Sequence, residues 1–589
     1  MTLIAPLSFS HFLEVARRES HAEHEAYEEE GRIPPDDQLR LGIAAGPLTA
    51  QRLPNRNGES AWQFDALPGL PFDAGKLDLT SEVAVKSFGE VMTIRAGTEG
   101  IQLAKKSGPP PFEASTTKHI PEGPLVLFRS WMNFAKGVVD CLEKHVAAAA
   151  LPQHWPQLPL AQNPRATRAP TQSAFDHALA ACLNPAYPAF SVKGPPGTGK
   201  TNLLATVAIA LARQGKRVAI VSVAHAAVDN ALKQVSALLA AQARRDATLP
   251  ALHLVKHGAP GRDGLPAEVK VCKLKHAEPW HIFGTTAAAA VYMFDHARCF
   301  NHRPLDVLLL DEAGQVAACA AAALSKLAPR VILFGDEDQL PPIPKAVHEP
   351  GSFGDASAME YFARVAGEGW VLPLEVTHRL NRSICELVQR HFYPVIPLAP
   401  DTNADSAVLV AGVRQPALRL VDCPHRGPKL SRSAEEVERI VLLVREALGR
   451  TVSLGDELST LTTPRPLRQT DIAILTPFRS QVAAIQAALL HHGWTEITKV
   501  GTVDKLQGQG AALVIYSLAA SSPDYIGAQA EWLYSPNRWN VALSRAKAQC
   551  IVVGHLSAQH LVAPAVLDGI GAHRRIIRLL EDPIWNRET

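Results

Sequence analysis

Cysteine is sparse and unpatterned in this 589-residue chain: eight residues are scattered from Cys141 to Cys550, with no Cys-x-x-Cys pair. That scatter argues against a zinc module or an iron–sulfur cluster and fits isolated thiols in a reducing compartment. No apolar run reaches about 18 residues, the length a membrane-spanning helix needs. The amino terminus also lacks a basic start followed by an apolar stretch. A cytoplasmic protein without a membrane partner is the expectation. Net charge is nearly absent too, at +2. A basic groove can hide inside such a balance, so charge neither implies nor excludes a nucleic-acid partner. With 47 % hydrophobic and 20 % charged residues the chain has an ordinary globular composition, and its length asks for three or four domains.

What is present is organised. Ser8 to about Glu30 reads as a helix with Phe9, Phe12, Leu13 and Ala16 on one face, and Pro34 and Pro35 stop it. Six glutamates between Glu19 and Glu30 read as a solvated face. Residues 36–130 read as short strands (Leu39–Ile43, Glu82–Lys86, Val91–Arg95, Ile101–Lys105, Leu125–Phe128) punctuated by glycine and proline, which suggests a small β-barrel. Trp131 to about Ala150 reads as helix. From Gln172 onward, strands at Phe190–Lys193, Val218–Val223, His281–Gly284, Val307–Leu310 and Val331–Phe334 alternate with helices. A second such set begins near Val371, with strands at Ile472–Leu475, Leu513–Tyr516 and Ile551–Val553. Alternation of this kind means parallel sheets covered on both faces. The expected divisions are a stalk helix at 1–35, the barrel and a connecting helix at 36–150, and two α/β domains at 151–345 and 346–589.

Two motifs carry the chemistry. Gly194-Pro195-Pro196-Gly197-Thr198-Gly199-Lys200-Thr201 follows one apolar run, and Asp311-Glu312-Ala313-Gly314-Gln315 follows another. In the first, glycines let backbone N–H groups close around phosphate oxygens at the start of a helix. Lys200 would reach the β- and γ-phosphates, and Thr201 would join Asp311 around Mg²⁺. Glu312 is placed to orient or deprotonate the attacking water. ATP and Mg²⁺ are therefore the expected cofactors. A GTPase would want an Asn-Lys-x-Asp guanine reader, which is missing, and a small-molecule kinase would not need a second α/β domain of nearly equal size.

These two motifs, followed by Gly-Asp-Glu-Asp-Gln-Leu-Pro-Pro at Gly335–Pro342, resemble the superfamily 1 helicases. Within them the chain is similar to the group of the nonsense-mediated mRNA decay helicase and the immunoglobulin-mu-binding helicase. Further matches run in order: Thr171-Gln172, Val221–Leu232, Leu374–Ile384, Ile474–Gln481, Val500–Gln509 and Asn537–Lys547. The resemblance implies two tandem RecA-like parallel-sheet domains, with the helical stalk and small β-barrel ahead of them. It implies that Gln172 reads adenine, that Gln339 senses the γ-phosphate, and that Arg379 and Arg545 act as arginine fingers. His378 would stack on the base, and Gly508 would lie beside the nucleotide.

By the same resemblance, a single strand of DNA or RNA would be held by Ser222, His225, Thr285, Thr286, Pro477, Thr502, Asp504 and Asn540. The implied activity is ATP-driven, 5′-to-3′ movement along that strand. An ATP-gated clamp or remodelling subunit without unwinding needs the same motifs, and the barrel could instead bind a protein partner. The sequence departs from the family at His225 (usually Asn), at His378 (usually Tyr) and at Gly510, where the family carries a ribose-binding Glu. The stretch from Lys233 to Lys275, where relatives insert a helical grip on the strand, is short.

Overall fold

The computed structural model describes residues 5–32, 44–56, 59–66, 91–96, 99–105, 112–116, 125–128, 134–147, 155–156, 163–257, 264–272, 280–293, 305–349, 351–401, 405–455, 463–506, 508–559 and 571–588. Strands β1 (Ala44–Arg56), β2 (Glu59–Ala66), β3 (Val91–Ala96), β4 (Glu99–Lys105), β5 (Phe112–Thr116) and β6 (Leu125–Phe128) close a barrel in the order β1-β2-β5-β4-β3-β6. Every neighbouring pair is antiparallel. The strands expected at Leu39–Ile43 and Glu82–Lys86 lie outside the described residues.

The N-terminal helix Phe9–Arg32 buries Phe9, Phe12, Leu13, Val15 and Ala16, the face its spacing predicts, in the same core as the first α/β sheet. Its acidic run is more than a solvated face. The Glu19 carboxylate accepts from the backbone of Lys345 (2.9 Å) and Ala346 (3.0 Å) and contacts His348 Nε2 at 2.6 Å. Glu23 accepts from the Ala135 N–H at 3.3 Å. Backbone amides of a loop and of a helix start need acceptors, and these two glutamates supply them.

The first sheet contains β7 (Ala189–Lys193), β8 (Val218–Ser222), β9 (Leu254–His257), β10 (Val269–Cys272), β11 (Ile282–Thr286), β12 (Val307–Leu310), β13 (Arg330–Gly335) and β14 (Val371–Pro373). They run in parallel in the order β10-β9-β11-β8-β12-β13-β7-β14. The central strands β7, β8, β11, β12 and β13 are buried along their whole length, as a sheet covered by helices on both faces requires. Strand β14 corrects the expected division at 345/346. The helix Ala358–Ala366 and β14 belong to the first sheet and its core, with Met359, Tyr361, Phe362, Trp370 and Leu372 buried there. A three-residue strand has too little periodicity to assign by pattern, whereas its pairing with β7 is unambiguous.

The second sheet holds β15 (Leu418–Asp422), β16 (Ile472–Thr476), β17 (Lys499–Thr502), β18 (Ala511–Ser517), β19 (Ala546–Gly554) and β20 (Asn586–Glu588). They are parallel in the order β17-β16-β18-β19-β15-β20. Tandem parallel sheets of this kind, each with its own core, are the RecA-like pair expected from the sequence.

Tyr361 ties the N-terminal helix to the first of these units. Its hydroxyl accepts from the Leu7 N–H (2.7 Å) and donates to the Trp155 carbonyl (2.9 Å), while its ring packs on Phe12 and Trp155. Tyr361→Phe keeps the ring and strands two buried polar groups, so it is expected to cost about 1–3 kcal/mol. Chemical denaturation read by tryptophan fluorescence checks this.

Candidate nucleotide-binding site

The site forms where parallel strands end. Strand β7 runs into the loop Gly194–Gly199, which turns with positive φ at Gly197 (+77°) and Gly199 (+79°) into the helix Lys200–Arg213. No side chain caps that helix. Its first N–H groups are thus available to an anion, and the helix dipole favours one. Thr198 is buried and donates from Oγ1 to the Pro195 carbonyl (2.8 Å), which fixes the loop. Thr201, the expected magnesium ligand, is half-buried in the first turn of that helix.

Strand β13 lies between β7 and β12, and its end sets the close packing of the site. Gly194 donates to the Gly335 carbonyl at 2.9 Å and Ala313 to the Phe334 carbonyl at 2.9 Å. A Cβ on Gly335 would stand 2.7 Å from the Gly314 nitrogen, so the two loops can meet only through glycine. Asp311 and Glu312, at the end of β12, face Lys200. Its Nζ lies 3.4 Å from Asp311 Oδ1 and 3.1 Å from Glu312 Oε1. Burial works against the lysine charge, but Glu312 and Asp311 outweigh it and hold the proton more tightly than in an ordinary lysine. Burial raises Asp311 above the usual carboxylate range, and Lys200, outweighing burial, keeps Glu312 below it. Glu312 sits at φ +53°, a strained conformation for a residue with a Cβ.

The second domain reaches in from the other side. Thr377 Oγ1 donates to the Pro196 carbonyl (2.8 Å), and the His378 N–H donates to the Gly197 carbonyl (2.9 Å). Arg379 follows directly, half-buried. Arg545 is 2 % exposed, donates Nε to the Val541 carbonyl (3.1 Å) and Nη2 to Gln339 Oε1 (3.4 Å). Burial, and then the like charge of Arg379, depress Arg545 to about 9. Burial likewise lowers Arg379, with Glu312 opposing. Arg545 Nη1 is buried with no partner among the described residues. An unpaired buried guanidinium nitrogen on a residue whose charge reaches Glu312 suits a phosphate oxygen.

Gln172 is half-buried in a turn whose carbonyl accepts from Arg168 Nε (3.2 Å). The same Arg168 forks onto Glu375 at 2.6 and 2.9 Å, so the Gln172 turn and the segment bearing His378 are pinned together. His378 is exposed and its Nδ1 meets Asp401 at 2.6 Å. Gly508 is exposed at φ +82°. A Cβ on Gly510 would lie 3.6 Å from Arg379 Nε, which puts this position beside that guanidinium.

The residues expected to touch a strand are placed unequally. Ser222 and Thr286 end β8 and β11 in register, and Thr502 ends β17 opposite Thr476, just before Pro477. Ser222, Thr285, Thr286 and Pro477 are buried. His225 begins the helix His225–Arg245, near Lys256 and Asp229, and burial followed by Lys256 lowers its pKa. Asp504 is exposed and accepts from Arg538 (2.9 Å). Asn540 is a correction: it is fully buried, donating to the Asp338 carbonyl and to the Tyr393 hydroxyl, both at 2.7 Å. The amide serves the junction between domains and has no exposed atom for a strand. Sequence reasoning also missed Asp336, Lys193, Tyr393 and Asn537, which surround Gln339. The first lies inside a quoted motif, and Lys193 is a lysine in a fully buried strand, a signal that could have found it.

Residues 355–557 match a family model described as an AAA domain, and 176–356 match a second of the same description. Both α/β units of the chain are thus similar to AAA domains. The DNA replication ATP-dependent helicase/nuclease DNA2 of Mus musculus is 25 % identical over 409 residues, covering 66 % of this chain and 38 % of that protein. The Xenopus laevis protein of the same name is 27 % identical, covering 62 % and 35 %. The 3′-5′ exoribonuclease HELZ2 of Mus musculus is 27 % identical over 42 % of this chain and 9 % of its own length. The chain thus spans well under half of these relatives. Among solved structures, the Arterivirus nonstructural protein 10 helicase aligns over 88 % of this chain and 80 % of its own, at 14 % identity and a TM-score of 0.35.

At Gly197 a Cβ would lie 2.3 Å from Arg379 Cβ, at a φ that side chains rarely adopt. Gly197→Ala must therefore push the segment bearing Arg379 off the phosphate loop. ATP binding is expected to weaken on the order of tenfold or more, from about 1–3 kcal/mol of strain. Titration with a fluorescent ATP analogue checks it.

Proposed function

We propose that the chain is an ATP-driven motor on single-stranded nucleic acid. The observation that carries this is the facing of Lys200, Asp311 and Glu312 on one domain by Arg379 and Arg545 on the other. Hydrolysis spreads charge over the equatorial oxygens of the transferred phosphoryl group, and planar guanidinium groups stabilise that charge. Magnesium, when bound by Thr201 and Asp311, would neutralise phosphate oxygens. In the structure Lys200 is paired with both carboxylates. An arriving phosphate would draw its ammonium away and leave Glu312 free to orient a water.

A site split between two domains changes their spacing as it fills and empties, which suits stepping along a strand. The names of the relatives support helicase activity; their nuclease names are not carried over, because the chain spans so little of those proteins. The motif order supports a place near the mRNA-decay and immunoglobulin-mu-binding group, and with it 5′-to-3′ movement. Gly510 supports a loosened hold on ribose, expected either as a KM for ATP above about 10 μM, a range common among enzymes, or as relaxed choice of base, with hydrolysis intact.

The experiment is ATP hydrolysis with and without single-stranded DNA or RNA. One polymer should stimulate strongly, Lys200→Ala should abolish turnover, and Arg545→Ala should lower it about 10³-fold, the size of an arginine-finger effect. Hydrolysis indifferent to both polymers would overturn the motor. Stimulation without displacement of an annealed strand would favour the clamp.

A further inference from the structure

A buried hydrogen-bonded junction joins the two domains one step away from the nucleotide. Asp336 follows β13 in the first domain and is 2 % exposed. Its Oδ2 accepts from Gln339 Nε2 at 2.7 Å and from the Tyr393 hydroxyl at 2.5 Å. Tyr393, 1 % exposed, ends the helix Arg382–Phe392 and packs in the core of the second domain. Its hydroxyl accepts in turn from Asn540 Nδ2 at 2.7 Å. Asn540 lies on the helix Pro536–Leu543 and its Nδ2 also donates to the Asp338 carbonyl. Asn537, one turn earlier, donates to the carbonyls of Glu337 and Gln339. The far end of that helix leads straight to Arg545, whose Nη2 returns to Gln339. The bonds thus run from Gln339 through Asp336, Tyr393 and Asn540, then back to Gln339 along the helix.

Burying a carboxylate and a phenol together costs free energy unless the bonds between them are kept. Burial, then Asp338, pushes Asp336 up to about 7, against the pull of Lys193. Lys193 itself is held by Glu337 (2.8 Å) and Asp338 (2.7 Å). The first-domain side is therefore rigidly built, and the second-domain side holds it through four side chains, Asn537 and Arg545 on Gln339 itself and Tyr393 and Asn540 on the Asp336 side. Any turn of Gln339 towards a phosphate pulls on the carboxylate these two read.

We infer that Tyr393 is a positioning residue that passes the state of Gln339 to the helix that leads into Arg545, so that polymer binding and hydrolysis are coupled through its hydroxyl. This rests on the motor reading above. Tyr393 does not touch the nucleotide; it acts through Asp336.

Tyr393→Phe keeps the ring in its core and removes only the hydroxyl. KM for ATP should stay within about threefold, while polymer-stimulated kcat falls about tenfold, a coupling energy of ordinary size. Asn540→Ala should do the same, and the double variant should be no worse than either, since both cut one path. The deciding measurement is hydrogen exchange of residues 536–543 with and without a non-hydrolysable ATP analogue. The full chain should show nucleotide-dependent protection there, and Tyr393→Phe should abolish it while the phosphate loop is still protected. Protection in the variant equal to that of the parent would overturn the inference, as would no response of 536–543 in the parent. This readout needs no polymer, so it separates failure of the coupling from failure of the motor reading.

Discussion

The Lys200 ammonium, held between Asp311 and Glu312, sets the terms for everything around it. Five formal charges meet in one enclosed cleft: Lys200, Arg379 and Arg545 against Asp311 and Glu312. Asp336 adds a third carboxyl, which acts on both Lys200 and Arg545. Buried cations are costly unless anions complete them. Burial lowers the basicity of both arginines, with Arg379 adding to the effect on Arg545, and Nη1 of Arg545 has no partner among the described residues. A bound triphosphate would offer oxygens to Lys200 on one domain and to both arginines on the other.

That arrangement constrains the backbone. With β13 between β7 and β12, the phosphate loop and the acidic strand end are one strand apart, and Gly335 must bridge them. Gly314, whose Cβ would stand 2.5 Å from the Asp336 carbonyl oxygen, completes the contact. The chain therefore places glycine where two loops cross and charge where they open.

Much of this could be read in the residues. The glycine-rich loop, the acidic strand end and the alternation of short apolar runs with helices located β7, β8, β11, β12, β13, β16, β18 and β19 to within a few residues. Position in a strand end was legible because motif and apolar run are adjacent in sequence. Strands β9, β10, β15, β17 and β20 were not, because charged residues (Lys256, Lys270, Arg419, Lys499, Arg587) interrupt their apolar pattern, and β14 was not because it has only three residues. Lys256 inside β9 is buried only because Asp229, distant in sequence, lies 2.5 Å away. Asn540 failed for a related reason. An asparagine in a helical motif can face a strand or a neighbouring domain, and only the position of Tyr393, 147 residues earlier, decides.

The segment after β13 shows how far the consequences of one site extend. Asp336 is bonded to the second domain through Tyr393, and Leu340, four residues on, is buried in the second domain's core. Five residues later the backbone of Lys345 and Ala346 is held by Glu19 of the N-terminal helix. A stretch of about ten residues is thus fixed to the first sheet, the second domain and the N-terminal helix in turn. A rigid segment gripped at three points cannot follow one partner without loading the other two. The acidic face of the N-terminal helix, silent by composition, is in this way tied to the strand end that carries Gln339.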